Sequence, residues 1–246
     1  MTNGRWRAAL AAAAILLLFA GAVVFALTKS SPPMPPERTA AERPELMLLT
    51  TLPIVFAERL TLDAPPSAAL EALQSRYRVV PISVAASSDL GAGNLLLMAQ
   101  PQAQPAEALV ELDAWVRNGG RVLLLADPAL EWPSERPLGD LLRAPTSFAD
   151  TGLLTHWGLR IEAPQASGPA SRDVEGRELR TASPGRLTAI RPACAAAANG
   201  VLARCRIGRG EATVIADADF LNVDAMKAAD RSNLAVLLDE LARLEQ

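Results

Sequence analysis

The sequence predicts an α/β domain built on a doubly wound, mostly parallel sheet, standing behind one N-terminal transmembrane helix. Three observations carry this. From Glu45 onward the apolar residues fall in short continuous runs, as strands covered on both faces require. Stretches with helical spacing separate those runs, which is the rhythm of a parallel sheet with crossover helices. Ahead of them, residues 8–27 (AALAAAAILLLFAGAVVFAL) form twenty consecutive uncharged positions.

That N-terminal run is long enough, at 1.5 Å per residue, to span roughly 30 Å of hydrocarbon. Arg5 and Arg7 precede it, with Trp6 at the expected interfacial depth. The excess of positive charge places residues 1–7 in the cytoplasm and everything after the span outside it. A cleaved signal peptide shares the basic start, and Val24-Phe25-Ala26 would serve as its cleavage site. Its apolar core is ordinarily about 7–15 residues, so length favours an anchor. Both readings export the domain, and the anchor puts it in the periplasm, on a single-pass inner-membrane protein.

Residues 28–44 (TKSSPPMPPERTAAERP) hold five prolines and no apolar period. They read as a semi-rigid, extended tether. The domain proper then occupies residues 45–246.

Within it, Leu46–Leu49 reads as a buried strand, and 64–76 as a helix with Ala69, Leu70 and Leu73 inward. Residues 77–84 (YRVVPISV) and 94–98 (NLLLM) form the next two strands. Residues 105–118 make the clearest helix, with Leu109, Leu112 and Val116 on one face, ended by Asn118-Gly119-Gly120. A fourth strand covers 121–126 (RVLLLA).

Residues 128–150, with four prolines, have no clear period and read as a working loop or an insertion. A short helix over 151–158 leads into a strand at 159–163. Weak alternation over 174–190 suits an edge strand or hairpin. Residues 201–207 and 212–216 pair through the turn Gly208-Arg209-Gly210-Glu211, and 232–246 closes the chain as an amphipathic helix.

Composition excludes some function classes. Residues 28–246 hold 22 of the 24 basic side chains and all 27 acidic ones, a formal charge of −5. That is a poor match to nucleic acid or to a polybasic grip on anionic lipid, both of which need clustered cations. No Gly-rich loop follows a strand into a helix, so no nucleotide or other cofactor is expected. No G-x-C-x-G or G-x-S-x-G elbow occurs, and the sole histidine is His156. At a helix end that histidine is expected to complement the local dipole. Cys194 and Cys205 are expected to form a disulfide in an oxidising compartment. Such a bridge would close a loop of about a dozen residues, a contribution of about 3 kcal/mol on the chain-entropy model.

The carboxylates offer the one candidate crevice. Asp127 follows one strand, and Asp217 and Asp219 follow another. Ligands of open α/β sheets bind outside the carboxyl ends of the strands. If these strands are neighbours, the three aspartates converge, near Thr50 and Thr51 of the first strand. Such a group would suit a hard cation or a small ligand, as in an enzyme or metabolite-binding domain. The plainer reading is that Asp127-Pro128 begins a turn and that Asp217 or Asp219 caps the next turn of chain.

The runs ALVELDAWVRNGGRVLLLADP, LLTHWGLRIE and GRGEATVIADADFLN, followed by a Leu-rich closing helix, occur in a recognisable order. In this the chain resembles uncharacterised bacterial proteins related to GldG, the gliding-motility ABC-transporter auxiliary component. The resemblance covers about residues 46–246 and rests on structural turns. It implies an extracytoplasmic domain similar to the flavodoxin-like layer of class I glutamine amidotransferases. It also implies an accessory place beside membrane transport or assembly machinery. Together with the anchor, the tether and the missing nucleophile, this leads us to expect a non-catalytic role beside the subunits of a transporter or envelope complex, with residues 128–150 and the strand-end crevice as contact surfaces.

Overall fold

A computed structural model describes residues 33–56, 58, 65–91, 93–223 and 230–246. The expected span at 8–27, the residues before it and the first part of the tether lie outside the described residues. Among those described, no helix is long and apolar enough to cross a membrane.

The strands are β1 (Glu45–Thr50), β2 (Arg78–Pro81), β3 (Leu95–Ala99), β4 (Arg121–Leu125), β5 (Leu159–Glu162), β6 (Pro169–Val174), β7 (Arg177–Ala182), β8 (Arg186–Ala189), β9 (Cys194–Ala197), β10 (Leu202–Ile207) and β11 (Gly210–Ile215). The helices are α1 (Ala68–Gln74), α2 (Ser87–Leu90), α3 (Ala106–Arg117), α4 (Leu153–Trp157) and α5 (Asp230–Leu244). Seven strands form the central sheet in the order β2-β1-β3-β4-β11-β10-β9. The first five run parallel, while β10 is antiparallel to both of its neighbours. The expected mixed α/β layer with a mostly parallel sheet is present.

Successive side chains of a strand point to opposite faces, and β1 shows why its run had to be apolar throughout. Leu46 and Leu48 pack on one face with Leu73 of α1 and Leu237, Leu238 and Leu241 of α5. Met47 and Leu49 pack on the other with Leu112 and Val116 of α3 and Trp157 of α4. The buried stripe of α3 is Ala108, Leu112 and Val116. Leu109, expected on it, sits at its partly buried border. Helix α3 ends where Gly119 takes φ +116°, and a Cβ on Gly120 would stand 2.3 Å from the Trp115 ring. Glycine is the residue that permits both the left-handed turn and that close approach.

Three features go beyond those readings. The region 174–190 is a hairpin, β6–β7, starting five residues earlier, followed by β8, which pairs with β5. The edge strand β9 went unread because CAAA offers no alternation of large apolar residues. Its pairing with β10 is long-range information. The third feature concerns the tether. From Pro33 onward it lies along the domain, held by side chains that hydropathy does not register. Arg177 donates to the Pro33 carbonyl at 2.8 Å, and Arg76 donates to that of Pro36. The Arg38 backbone N–H reaches Ser75 O at 2.9 Å, and its guanidinium pairs with Glu245 at 2.7 Å. The Arg38 guanidinium also sits 5.5 Å from the centroid of the Tyr77 ring.

Candidate functional site

Strands β4 and β11 are parallel neighbours with Leu125 opposite Ile215, so the residues just past them emerge side by side. Asp127, Asp217 and Asp219 are there, at 0%, 0% and 3% exposure. One oxygen from each lies within 4.8 Å of the other two. Thr50 and Thr51 are not with them. β3 lies between β1 and β4, so β1 stands three strand spacings from β11, about 14 Å. The Thr50 hydroxyl donates to Ala99 O at 2.9 Å and that of Thr51 to Gln100 O.

Each aspartate accepts backbone N–H groups. Asp127 takes those of Ala129 (2.8 Å) and Ala218 (2.9 Å) on separate oxygens. Asp217 takes Phe220 (3.0 Å) and Ala182 (3.0 Å), and Asp219 takes Glu131 (2.7 Å). Five of the six carboxylate oxygens are thus engaged in joining the ends of β4, β7 and β11 to the 128–150 segment. The spacing would admit a cation, but the work visible in the hydrogen bonds is capping.

Burying three carboxyls together disfavours their charged forms. Burial, reinforced by the Asp127 charge, holds Asp217 well above the ordinary carboxylate range. Burial pushes Asp219 up to about 7. Asp127 is raised by the same cause, against the backbone N–H groups that favour its anion.

Two residues unmarked in the sequence complete this corner. Gln100 is fully buried at φ +45°. Its side-chain amide exchanges two bonds with the Asp127 backbone, at 2.9 and 3.1 Å, and donates to Pro145 O at 2.9 Å. The Glu131 carboxylate accepts the Ser183 hydroxyl. Neither belongs to a motif; only the fold brings them here. Asp219 and Glu131 open on a cavity of about 610 Å³ beside β6 and β7. Thr50 and Thr51 line a separate cleft of about 460 Å³ between β1, β2 and the 128–150 segment.

That segment has no helix or strand. It is tied near its ends, Leu130 N–H to Thr146 O (3.0 Å) and Phe148 N–H to Asp127 O (2.7 Å). Between those ties it displays Leu138, Leu141 and Leu142 at 77%, 89% and 71% exposure, with Phe56 nearby in the chain's first connection at 73%.

Cys194 and Cys205 form a disulfide across directly paired positions of β9 and β10. Cys–His nucleophilic chemistry therefore has no thiol to use. His156, in the last turn of α4, lies 3.4 Å from the Asp113 carboxylate and 3.1 Å from the Arg117 guanidinium.

Comparison with known proteins gives one family and a set of fold likenesses. Residues 41–173 match the family model described as an ABC-type uncharacterized transport system. No curated protein matches the sequence. Among solved structures, the chain is similar to the exo-β-1,4-mannosidase Op5Man5 from Opitutaceae bacterium strain TAV5, at 15% identity and TM-score 0.52. That match covers 81% of this chain but 36% of the mannosidase. The chain is also similar to the mmIFT52 N-terminal domain, at 14% identity and TM-score 0.51, over 81% of this chain and 97% of that one. At such identities the likeness shows the fold alone.

Proposed function

The chain belongs to the ABC-type uncharacterized transport system family, and from that membership we propose that it is a membrane-tethered, non-catalytic accessory domain. It recognises protein subunits of an ABC-type transport or envelope complex. The family match is the observation that carries this reading. The engagement of both cysteines in a disulfide supports a role without nucleophilic chemistry. The same bond suits an oxidising compartment such as the periplasm. The uncharged run at 8–27, with Arg5 and Arg7 before it, supports a single inner-membrane anchor. The parallel order β2-β1-β3-β4-β11 has the pattern of flavodoxin-like sheets, which supports the amidotransferase-like reading of the layer.

The test is purification of the full chain from native membranes after mild crosslinking. Transporter subunits, such as a permease or an ATPase, are expected to accompany it. A chain that is recovered from the membrane fraction without any transport or envelope subunit sinks the accessory role.

A further inference from the structure

The β6–β7 hairpin satisfies its charged side chains one by one, with a single exception. Asp173 accepts the Gly176 N–H at 3.2 Å, Glu175 pairs with Arg204 at 2.5 Å, Arg177 with Asp239, and Glu178 with Arg180 at 3.3 Å. Arg172 has no carboxylate partner among the described residues. Its guanidinium donates to Ser171 O at 2.8 Å, and its Nε is buried and donates to nothing. A buried donor without an acceptor is costly, and folded proteins retain few of them.

Arg172 lines a cavity of about 200 Å³ between the start of β6, the start of β8 and the turn at 198–200, and Arg186 lines it too. Arg186 stands opposite Glu162 in the β5–β8 pairing, but the two are not within ion-pair distance, and the Arg186 guanidinium bonds to none of the described residues. Three neutral side chains of the lining, Gln165, Ser167 and Asn199, are likewise without a partner among the described residues, and no carboxylate belongs to the lining. Asn199 is held there by the backbone. It takes φ +55° after Ala198 at φ +50°, a left-handed conformation that residues with a Cβ seldom adopt in succession. Such backbone persists where its surroundings enforce it, and it clusters at binding sites and switch regions.

We propose that this cavity binds a phosphate group, held by the guanidiniums of Arg172 and Arg186 with Ser167 and Asn199 as neutral donors. Two unpaired cations match a group carrying about −1.5 to −2 better than the single charge of a carboxylate. The planar fork of a guanidinium also fits phosphate oxygens. The lining is a local excess of positive charge on residues 28–246, whose sum is −5. Soluble phosphate and a lipid headgroup ending in a phosphomonoester share this chemistry. The site stands independently of the accessory role.

Titration calorimetry of the full chain in nonionic detergent micelles, with inorganic phosphate at constant ionic strength, is the test. A saturable event is expected, with acetate bound at least about tenfold more weakly. Arg172→Gln and Arg186→Gln are each expected to weaken phosphate about tenfold, the scale of one charge-assisted bond. Arg206→Gln, exposed on β10 and without an ion pair among the described residues, is expected to leave it unchanged. Unchanged thermal unfolding controls for folding, and Arg186 is exposed, so its variant tests the site even if Arg172→Gln unfolds. Micelles doped with phosphatidic acid separate the two sources. Phosphate heat lost in them and retained in plain micelles places a lipid headgroup in the site, and heat retained in both leaves the site to soluble phosphate. No saturation by about 10 mM phosphate, acetate bound as tightly, or an affinity unchanged in either arginine variant overturns the proposal.

Discussion

The side-chain amide of Gln100 meets the backbone of Asp127 as a second peptide group would, accepting its N–H at 2.9 Å and donating to its carbonyl at 3.1 Å. It thereby continues the β3–β4 pairing one step past Leu125, where Gln100 has turned to positive φ and the ladder stops. Replacing it with alanine strands buried polar groups of Asp127 and Pro145, each at a cost of about 1–3 kcal/mol. Gln100→Ala is expected to lower the melting temperature on the order of 10 °C. A change under about 2 °C would show that the bridge contributes nothing.

Asp219 contributes to the pH dependence of stability. Its pKa in the folded chain is about 7, above the ordinary 3.8. Between those values the folded chain keeps a proton that the unfolded chain has released. The stabilisation this gives is fully present below the unfolded pKa and is lost as pH rises through about 7. Asp127 and Asp217, also raised, act in the same direction. Carboxylates held down by partners act oppositely, as Glu58 does through the Ser134 hydroxyl, but they are less buried than the three aspartates and weigh less. The urea midpoint is therefore expected to be higher at pH 5.5 than at pH 8, and Asp219→Asn is expected to flatten that difference. A midpoint that climbs from pH 5.5 to pH 8 contradicts the assignment.

The Cys194–Cys205 bond closes a loop spanning 11 positions at the edge of the sheet. The paired change Cys194→Ala/Cys205→Ala is expected to cost about 3 kcal/mol. Denaturant titration of the purified domain measures it, and a loss below about 1 kcal/mol would show that strand pairing alone holds β9 in place.

Residues 33–43 are held by arginines, and removing two of those should release the segment. In Arg38→Ala/Arg177→Ala, amide exchange over 34–43 is expected to accelerate at least about tenfold, with protection in β3 and β4 unchanged. Equal protection before and after would mean that packing alone holds the segment.

How much of this was legible depended on range. Strands such as β3 and β4 could be read because burial on both faces demands unbroken apolar runs. Their neighbours could be placed because short crossovers leave few topologies. The convergence of Asp127 with Asp217 and Asp219 needed one further fact, that β4 and β11 are adjacent, and the sequence could pose it only as a condition. Thr50 and Thr51 were placed too near because strand order, which interposes β3, is not encoded locally. The bonds from Arg177 to Pro33 and from Asn233 to Phe220 O join distant segments through polar atoms, to which hydropathy is blind.

The Arg38–Glu245 pair has a topological consequence. Arg38 stands seven residues before β1, and Glu245 is the residue after α5, so the two ends of the folded unit lie side by side. A unit whose ends meet can be re-cut or grafted: a short linker from Gln246 back to Pro33, with new termini opened at exposed Gly139, gives a circular permutant with the same core. It also means that the unit can sit within a host chain as an insertion, with both junctions leaving from one corner.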